Sequence, residues 1–298
     1  MDGILIIDKP AGITSHDVVA RCRRILGTKK IGHTGTLDPF ATGLIVILVG
    51  KATRLAQFLD KDSKEYEAVL TFGYETDTGD LTGSPRIDDP KTVPAPRGEI
   101  GAAIRSLTGE IMQTPPMYSA KKVDGKKLYE LARRGIEIER APVPVTISEL
   151  EIVADSTLSE SELRIRVVCS AGTYIRTLAE DLARLAGSSA HLRSLRRTAA
   201  GSFSIGQALT LEALAEAVGD GRVEDHLIPM NRAGDRLRAM TLAPDRVVKT
   251  QNGLSTRVFD AGFAEGENVR MIDQSGELVA IGTFLADENA VRPKIVLV

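Results

Sequence analysis

The 298-residue chain is expected to fold as an α+β protein with a mixed, largely antiparallel sheet and a small C-terminal β domain. Three observations carry that expectation. Helical and strand patterns mix along the chain without the strict strand–helix–strand order of a parallel sheet. The segment ELRIRVVCS (Glu162–Ser170) sets Leu163, Ile165, Val167 and Cys169 against Arg164, Arg166, Val168 and Ser170, the two-residue period of a half-buried strand. Near the end, GENVRMIDQSGELVAIGTF reads as strand, Ser275-Gly276 turn, strand.

The elements follow in order. Residues 4–8 are a short apolar run suited to a buried strand. Ser15 stands where a helix would be capped, with Val18, Cys22, Ile25 and Leu26 as its apolar stripe and Gly27 as its end. A glycine-rich loop begins at Lys30, and Leu44–Val49 reads as an apolar strand. EYEAVLTFG (Glu65–Gly73) alternates as another. Gly73 to Gly98 is turn-rich, with Pro85, Pro90, Pro94 and Pro96, and reads mostly as loop. EIGAAIRSLTG and YELARRG suit short helices. After the strand at 162–170, Ile175, Leu178, Leu182 and Leu185 share one helical face. Ile228 to Asp245 reads as a linker, so the expected domains are 1–230 and 240–298.

Hydrophobic residues make up 43% of the chain, enough for two cores, and formal net charge is 38 − 40 = −2. The distribution says more than the sum. From Arg21 to Arg54 there are Arg21, Arg23, Arg24, Lys29, Lys30, Lys51 and Arg54 against Asp38 alone. From Pro115 to Gly135, Lys121, Lys122, Lys126, Lys127, Arg133 and Arg134 face Asp124 and Glu130. Such clusters are commonly solvated faces, but two converging on one cleft suit a phosphate backbone. Cys22 and Cys169 make no disulfide framework and read as core thiols of a reducing compartment. MDGILIIDKP lacks a basic leader and LIVILV is too short to span a bilayer, so a cytoplasmic protein without membrane contact is expected.

Familiar catalytic patterns are missing. No phosphate-binding loop, no dinucleotide fingerprint and no G-x-S-x-G elbow occurs. His16, His33, His191 and His226 do not pair at metal-ligand spacing. What stands out is KIGHTGTLDPFATGLIVIL (Lys30–Leu48), where Gly32, Gly35 and Gly43 bracket Asp38 and Pro39. Alone, Asp-Pro reads as a helix N-cap pair.

The block GHTGTLDPFATG, together with KPAGITSHD, KEYEAVLTFGYETDTGD, PPMYSAKKVDGKKLYELARRG, CSAGTYIRTLAEDL and AHLRSLRRT in that order, resembles the TruB-type tRNA pseudouridine synthases over about residues 3–230. The resemblance implies a pseudouridine synthase fold and a C-terminal segment of the PUA RNA-binding type. It implies isomerisation of uridine-55 in the T-loop of tRNA, with Asp38 as the catalytic residue and no cofactor or metal. The glycines would let the backbone approach a flipped nucleotide. Tyr66 would stack on the base and handle a proton at carbon 5, and Arg176 would pair with Asp38. Tyr174 and Leu195 would wall the uracil pocket, His33 would fill the space the base leaves, and Lys9 and Pro10 would support the loop. An insertion at about 112–142, with Lys121, Lys122, Lys126 and Lys127, would press on the T-arm of the tRNA. The implied enzyme works as a monomer without an obligate protein partner.

From pattern alone the same residues have plainer roles. Tyr66 is a strand residue, Tyr174 and Leu195 are core, and the insertion is an amphipathic surface segment. Arg176 would be a first-turn cation, which the helix dipole disfavours. Two rival functions remain open: an RNA-binding or tRNA-folding module with secondary or lost catalysis, and a guide-RNA-dependent relative of the dyskerin-like branch. The intact GHTGTLDP block speaks against the first, and the short C-terminal region against the second.

Overall fold

The structure, a computed structural model, describes residues 1–86, 97–119, 121–123, 125–132, 134–154, 158–259 and 262–297. β1 (Gly3–Lys9) leads into α1 (Ser15–Ile25). The cap of α1 is Thr14 rather than Ser15. Thr14 Oγ1 accepts from the Asp17 N–H at 3.1 Å, and the Asp17 carboxylate accepts from the Thr14 N–H at 2.8 Å. That box frees the Ser15 hydroxyl for another use.

β2 (Ile31–Thr34) and β3 (Thr42–Val49) bracket the loop that carries Asp38. No helix begins at Pro39, so the capping reading of Asp38 fails. After a 3-10 turn and α2 (Ala56–Leu59) comes β4 (Lys64–Phe72). The turn-rich stretch is irregular as far as Arg86, with isolated bridges from Thr76 to Pro85 and from Asp80 to Leu192, and residues 87–96 lie outside the described residues. α3 (Arg97–Leu107) and β5 (Gly109–Gln113) precede a small hairpin, β6 (Lys122–Val123) with β7 (Lys126–Lys127), and α4 (Leu128–Ala132). β8 (Val143–Val153), β9 (Glu162–Cys169), α5 (Ile175–Leu185), β10 (Ala190–Ala200), β11 (Phe203–Ser204) and α6 (Leu211–Gly219) follow.

The first sheet runs β1-β3-β10-β4-β9-β8-β5, with β2 also on β3 and β11 on β10. Every pairing in it is antiparallel except β3 with β10, which run parallel through Arg196–Thr42 and Arg197–Gly43. The protein is thus α+β with a mixed, largely antiparallel sheet. β10 escapes simple pattern reading for a physical reason. Register shifts between Leu192 and Ser194 and between Arg197 and Ala199 slip its alternation. In α5, Ile175, Leu178 and Leu182 are buried as their spacing predicts, but Leu185 in the last turn is 56% exposed.

The apolar runs of β1 and β3 are covered on both sides. Leu5, Ile7, Ile45 and Ile47 pack with Val18 and Cys22 of α1 and Leu214 of α6. Ile4, Ile6, Leu44 and Val46 share a cluster with Leu278, Ile281, Ile295 and Leu297. Leu278, Ile281 and Ile295 belong to a second sheet, and Leu297 directly follows its last strand; the sheet is built from β12 (Ala239–Thr241), β13 (Thr256–Arg257), β14 (Asn268–Ile272), β15 (Leu278–Leu285) and β16 (Ala290–Val296), with α7 (Pro244–Gln251) beside it. Its order is β12-β14-β15-β16-β13. Burial on both faces is what makes β1 and β3 read as continuous hydrophobic runs.

The segment expected as a linker is ordered instead. Ile228 exchanges both backbone hydrogen bonds with Ile4, at 2.9 and 2.8 Å, and Ala233 is fully buried. Ala239–Thr241 is a strand of the second sheet. Ile228, Met230 and Leu237 pack into the cluster shared by the two sheets, and that apolar content holds the segment down.

Candidate active site

The loop from Gly35 to Ala41 has no helical or strand hydrogen bonding of its own, so its shape depends on what grips its main chain. Four side chains do so, the first being Asp60, whose Oδ1 accepts from the Gly35 N–H at 3.1 Å. The Ser15 hydroxyl accepts from the Leu37 N–H at 2.9 Å and donates to the Leu37 carbonyl at 3.1 Å. Lys9 is fully buried, and its ammonium donates to the carbonyls of Pro10 (2.9 Å), Pro39 (3.2 Å) and Ala41 (2.6 Å). Burial lowers the Lys9 pKa to about 8, partly offset by the charge of Asp38. Arg197 donates to the carbonyls of Gly35 (2.9 Å) and Leu44 (2.7 Å).

Two glycines of the loop make room within the protein itself. Gly43 has φ +101°, and a Cβ there would lie 2.3 Å from the Arg197 carbonyl oxygen and 2.8 Å from its nitrogen. Gly35, at φ +66°, would set a Cβ 3.1 Å from Arg197 Nη1. Both accommodate Arg197 and the parallel pairing of β3 with β10. Gly32 meets nothing closer than Thr53 at 3.8 Å.

Arg176, in the first turn of α5 and 5% exposed, reaches Asp38 side-on. Its Nε is 2.9 Å from Oδ2 and its Nη2 donates to Oδ1 at 3.2 Å. The same guanidinium donates to the carbonyls of Thr78 (2.8 Å) and Tyr118 (2.7 Å), and Asp80 lies 3.9 Å away. These partners outweigh the unfavourable dipole of the helix start. Tyr174 stands just before α5, where the Gln113 side chain accepts from its N–H at 2.8 Å and donates to its carbonyl at 3.0 Å.

Burial raises the Asp38 pKa above its ordinary value of 3.8, the Arg176 charge opposes that, and Asp80 adds to it. An activity that needs the Asp38 carboxylate should therefore lose rate, as pH falls, above the usual aspartate range. Replacing Arg176 by Gln removes the charge that favours ionisation, so the acid limb of the single-turnover rate should move to higher pH. An acid limb in the same place in both proteins would contradict this electrostatic account.

Tyr66 is buried on β4, paired across the strands with Val167 on one side and Arg197 on the other. Burial raises its pKa, so it is a neutral phenol. Leu195, 6% exposed, lies opposite Ala68. The His33 ring packs edge-on against His16 at 5.4 Å, and its buried Nδ1 has no hydrogen-bond partner among the described residues. Burial lowers its pKa, which favours the neutral ring. Asp38, Tyr66, Tyr174, Arg176, Leu195 and His33 all line one cleft of about 1140 Å³.

Lys9 sits beneath the loop rather than in the cleft, and Pro10 beside it is exposed, its carbonyl accepting from the Lys9 ammonium. Lys121 is half-buried at the start of the hairpin, whereas the side chains of Lys122, Lys126 and Lys127, like residues 124 and 133, lie outside the described residues. In the other basic cluster, Lys51 faces Asp2 at 4.0 Å, Arg23 donates to the Ile31 carbonyl and Arg54 to the Val296 carbonyl. Arg21, Arg24, Lys29 and Lys30 are exposed. Ser15, Asp80 and Arg197 escape sequence reasoning as site residues. Ser15 looks like a cap, Asp80 lies in a polar turn, and the Arg196-Arg197 pair looks like surface charge.

Both cysteines are buried free thiols. Among the described residues no group of three or more His, Cys, Asp or Glu is set to hold a metal ion, and no helix is long and apolar enough to cross a membrane.

Residues 23–175 match the N-terminal domain of the TruB family pseudouridylate synthases, and residues 176–234 match the tRNA pseudouridylate synthase B C-terminal domain. A protein named tRNA pseudouridine synthase B from Geobacillus thermodenitrificans is 47% identical over 265 residues, covering 87% of this chain and 86% of its own. One of the same name from Solibacter usitatus is 39% identical over 301 residues, covering 100% of both chains. Among solved structures, a chain of a Cbf5-Nop10-Gar1 complex superposes with a TM-score of 0.78 at 27% identity, over 99% of this chain and 85% of that one. A chain from an H/ACA RNP bound to a substrate RNA containing 2′-deoxyuridine gives 0.77 at 26%, with the same coverage.

Proposed function

The chain belongs to the TruB family of pseudouridylate synthases, and from that premise we propose that it isomerises uridine-55 in the T-loop of tRNA, with Asp38 acting on a uridine swung out into the cleft. It is an enzyme that forms pseudouridine in tRNA. The observation that carries the finer reading is the paired carboxylate of Asp38, held by Arg176 at one wall of a cleft large enough for a nucleotide.

The reaction breaks the bond from C1′ of the ribose to N1 of uracil, turns the freed base, and joins C1′ to C5. The proton on C5 leaves and N1 gains one, so nothing is added or lost overall. Such a change needs neither a redox partner nor a nucleotide triphosphate. One carboxylate, kept ionised by Arg176 against the cost of burial, is the group offered to the sugar and base. Tyr66 would stack on the flipped base and face its C5, with Tyr174 and Leu195 closing the pocket. His33 would occupy the space the base leaves in the loop. Lys9 and Pro10 act on the reaction through the loop they hold.

We read residues 1–230 as the catalytic domain, with the insertion at 112–142 pressing on the T-arm, and residues 240–298 as a PUA-like second RNA contact. On this reading the chain works alone, as a monomer, in the cytoplasm. Changing Lys121, Lys122, Lys126 and Lys127 together to Ala should weaken tRNA binding and flatten its salt dependence. Each phosphate left without its lysine lowers the log–log slope by about 0.9 at duplex-like sites. An unchanged slope would turn these lysines away from the RNA.

Incubating the purified chain with an unmodified tRNA transcript, with no guide RNA or second protein, and mapping pseudouridine tests the proposal. Modification at uridine-55 is expected. A requirement for added RNA or protein would favour the guide-dependent reading, and binding without modification the RNA-folding one.

A further inference from the structure

Arg197 is the bulkiest of the fully buried side chains among the described residues, at 1% exposure. A guanidinium in that position is costly unless its N–H groups are met, and among the described residues no carboxylate forms an ion pair with it. It donates instead to two carbonyl oxygens, and both belong to the frame of the site. Gly35 opens the loop of Asp38, and Leu44 lies in the strand that leaves it.

The same side chain reaches the other half of the cleft. Arg197 and Tyr66 face each other across the β10–β4 ladder, where side chains of directly opposed residues are neighbours. Burial raises the Tyr66 pKa, and the nearby charge of Arg197 acts in the opposite direction. A register shift falls between Arg197 and Ala199, immediately after this pair. Gly35 and Gly43 both lack the Cβ that would press on Arg197. Sequence, backbone and hydrogen bonding thus converge on one buried cation between Asp38 and Tyr66.

We propose that Arg197 is a positioning residue that registers Tyr66 against the loop of Asp38, joining the two halves of the site from beneath. The inference rests on the reading of Asp38 and Tyr66 as the residues that meet the uridine. Arg197 borders the same cleft, and on this proposal it acts through Tyr66 and the loop rather than on a reacting atom. Its work is to hold the Gly35 carbonyl and the Tyr66 side chain, its cross-strand neighbour, in one frame, which a flexible ammonium on a single stem cannot reproduce.

The test compares Arg197→Lys and Arg197→Met, each alone and in a Tyr66→Phe background, by single-turnover rate on saturating tRNA, by tRNA Kd and by melting temperature. Arg197→Lys keeps a cation in the buried site and serves if the Met variant fails to fold. The single-turnover rate should fall about 100-fold, the scale of a small misplacement of reacting groups, while Kd stays within about threefold. In the Tyr66→Phe background the same substitution should cost clearly less, because no hydroxyl remains to be oriented. A wild-type rate for Arg197→Lys, or an equal loss in both backgrounds, would overturn the proposal. Asp38→Asn serves as the control for the reading beneath it. If that variant keeps its activity the catalytic reading itself falls, whereas an inactive Asp38→Asn beside a normal Arg197→Lys removes only the role of Arg197.

Discussion

Asp38→Asn should reduce isomerisation to below about one-thousandth of the wild-type rate while leaving tRNA affinity within several-fold. The substitution keeps the size of the side chain and removes its charge. An amide can neither take a proton nor attack as a carboxylate does. The other described carboxylates lining the cleft are already engaged: Asp80 is 4% exposed, with Oδ1 held by Thr78 Oγ1 at 3.0 Å and the Thr82 N–H at 2.9 Å, and Asp60 Oδ1 accepts from the Gly35 N–H at 3.1 Å. Binding should survive because RNA affinity is a sum over many phosphate contacts, none of which Asp38 supplies. Release of tritium from carbon 5 of labelled uridine reads the reaction directly, since that bond breaks in every turnover. Residual release above one-thousandth of the wild-type rate would remove Asp38 from the essential position.

Tyr66→Phe should slow single turnover by about 10²–10⁴-fold, the range for loss of a positioned proton-transfer group, with little change in binding. The ring remains, so the stacking face and the buried packing within β4 and against β9 remain with it. The hydroxyl alone is lost. Tyr66→Leu should lose the chemistry and part of the stacking as well, and so weaken tRNA binding where Phe does not. Single-turnover rates at saturating tRNA keep binding and product release out of view. A wild-type rate for Tyr66→Phe would return the tyrosine to stacking alone.

Strands with an uninterrupted period are legible in the sequence, as are elements with strong punctuation. Glu162–Cys169 alternates cleanly because one face of β9 meets the core, and α1 ends at Gly27, whose φ is +63°. β10 is not legible, because two register shifts break its alternation and the arginines at its centre look like surface charge. One of them, Arg197, is buried, and nothing local to its sequence says so. Its burial depends on Gly35 and Gly43, far earlier in the chain, whose missing Cβ atoms make the room. Ser15 misleads for a similar reason. Its neighbour Thr14 has the better capping geometry with Asp17, and the partner of the Ser15 hydroxyl is Leu37, well along the chain. The segment from Ile228 to Asp245 looks like a linker because its apolar residues are scattered, and they find a common partner only once two sheets meet.

The cleft itself is legible only through the ordered motifs. Composition and period put Asp38 in a turn and Arg176 at a helix start, and offer no reason for the two to meet. The fold supplies that reason by bringing the start of α5 against the loop before β3, where the guanidinium and carboxylate pair at 2.9 Å.

A crystal structure of the Asp38→Asn variant bound to a T-arm hairpin would show whether the uridine meets residue 38. Uridine-55 is expected out of the loop and in the cleft, its ring against Tyr66 and its ribose C1′ within about 4 Å of the residue-38 side chain. A uridine still stacked in its loop, or seated in the cleft with C1′ turned away from residue 38, would contradict the role given to Asp38.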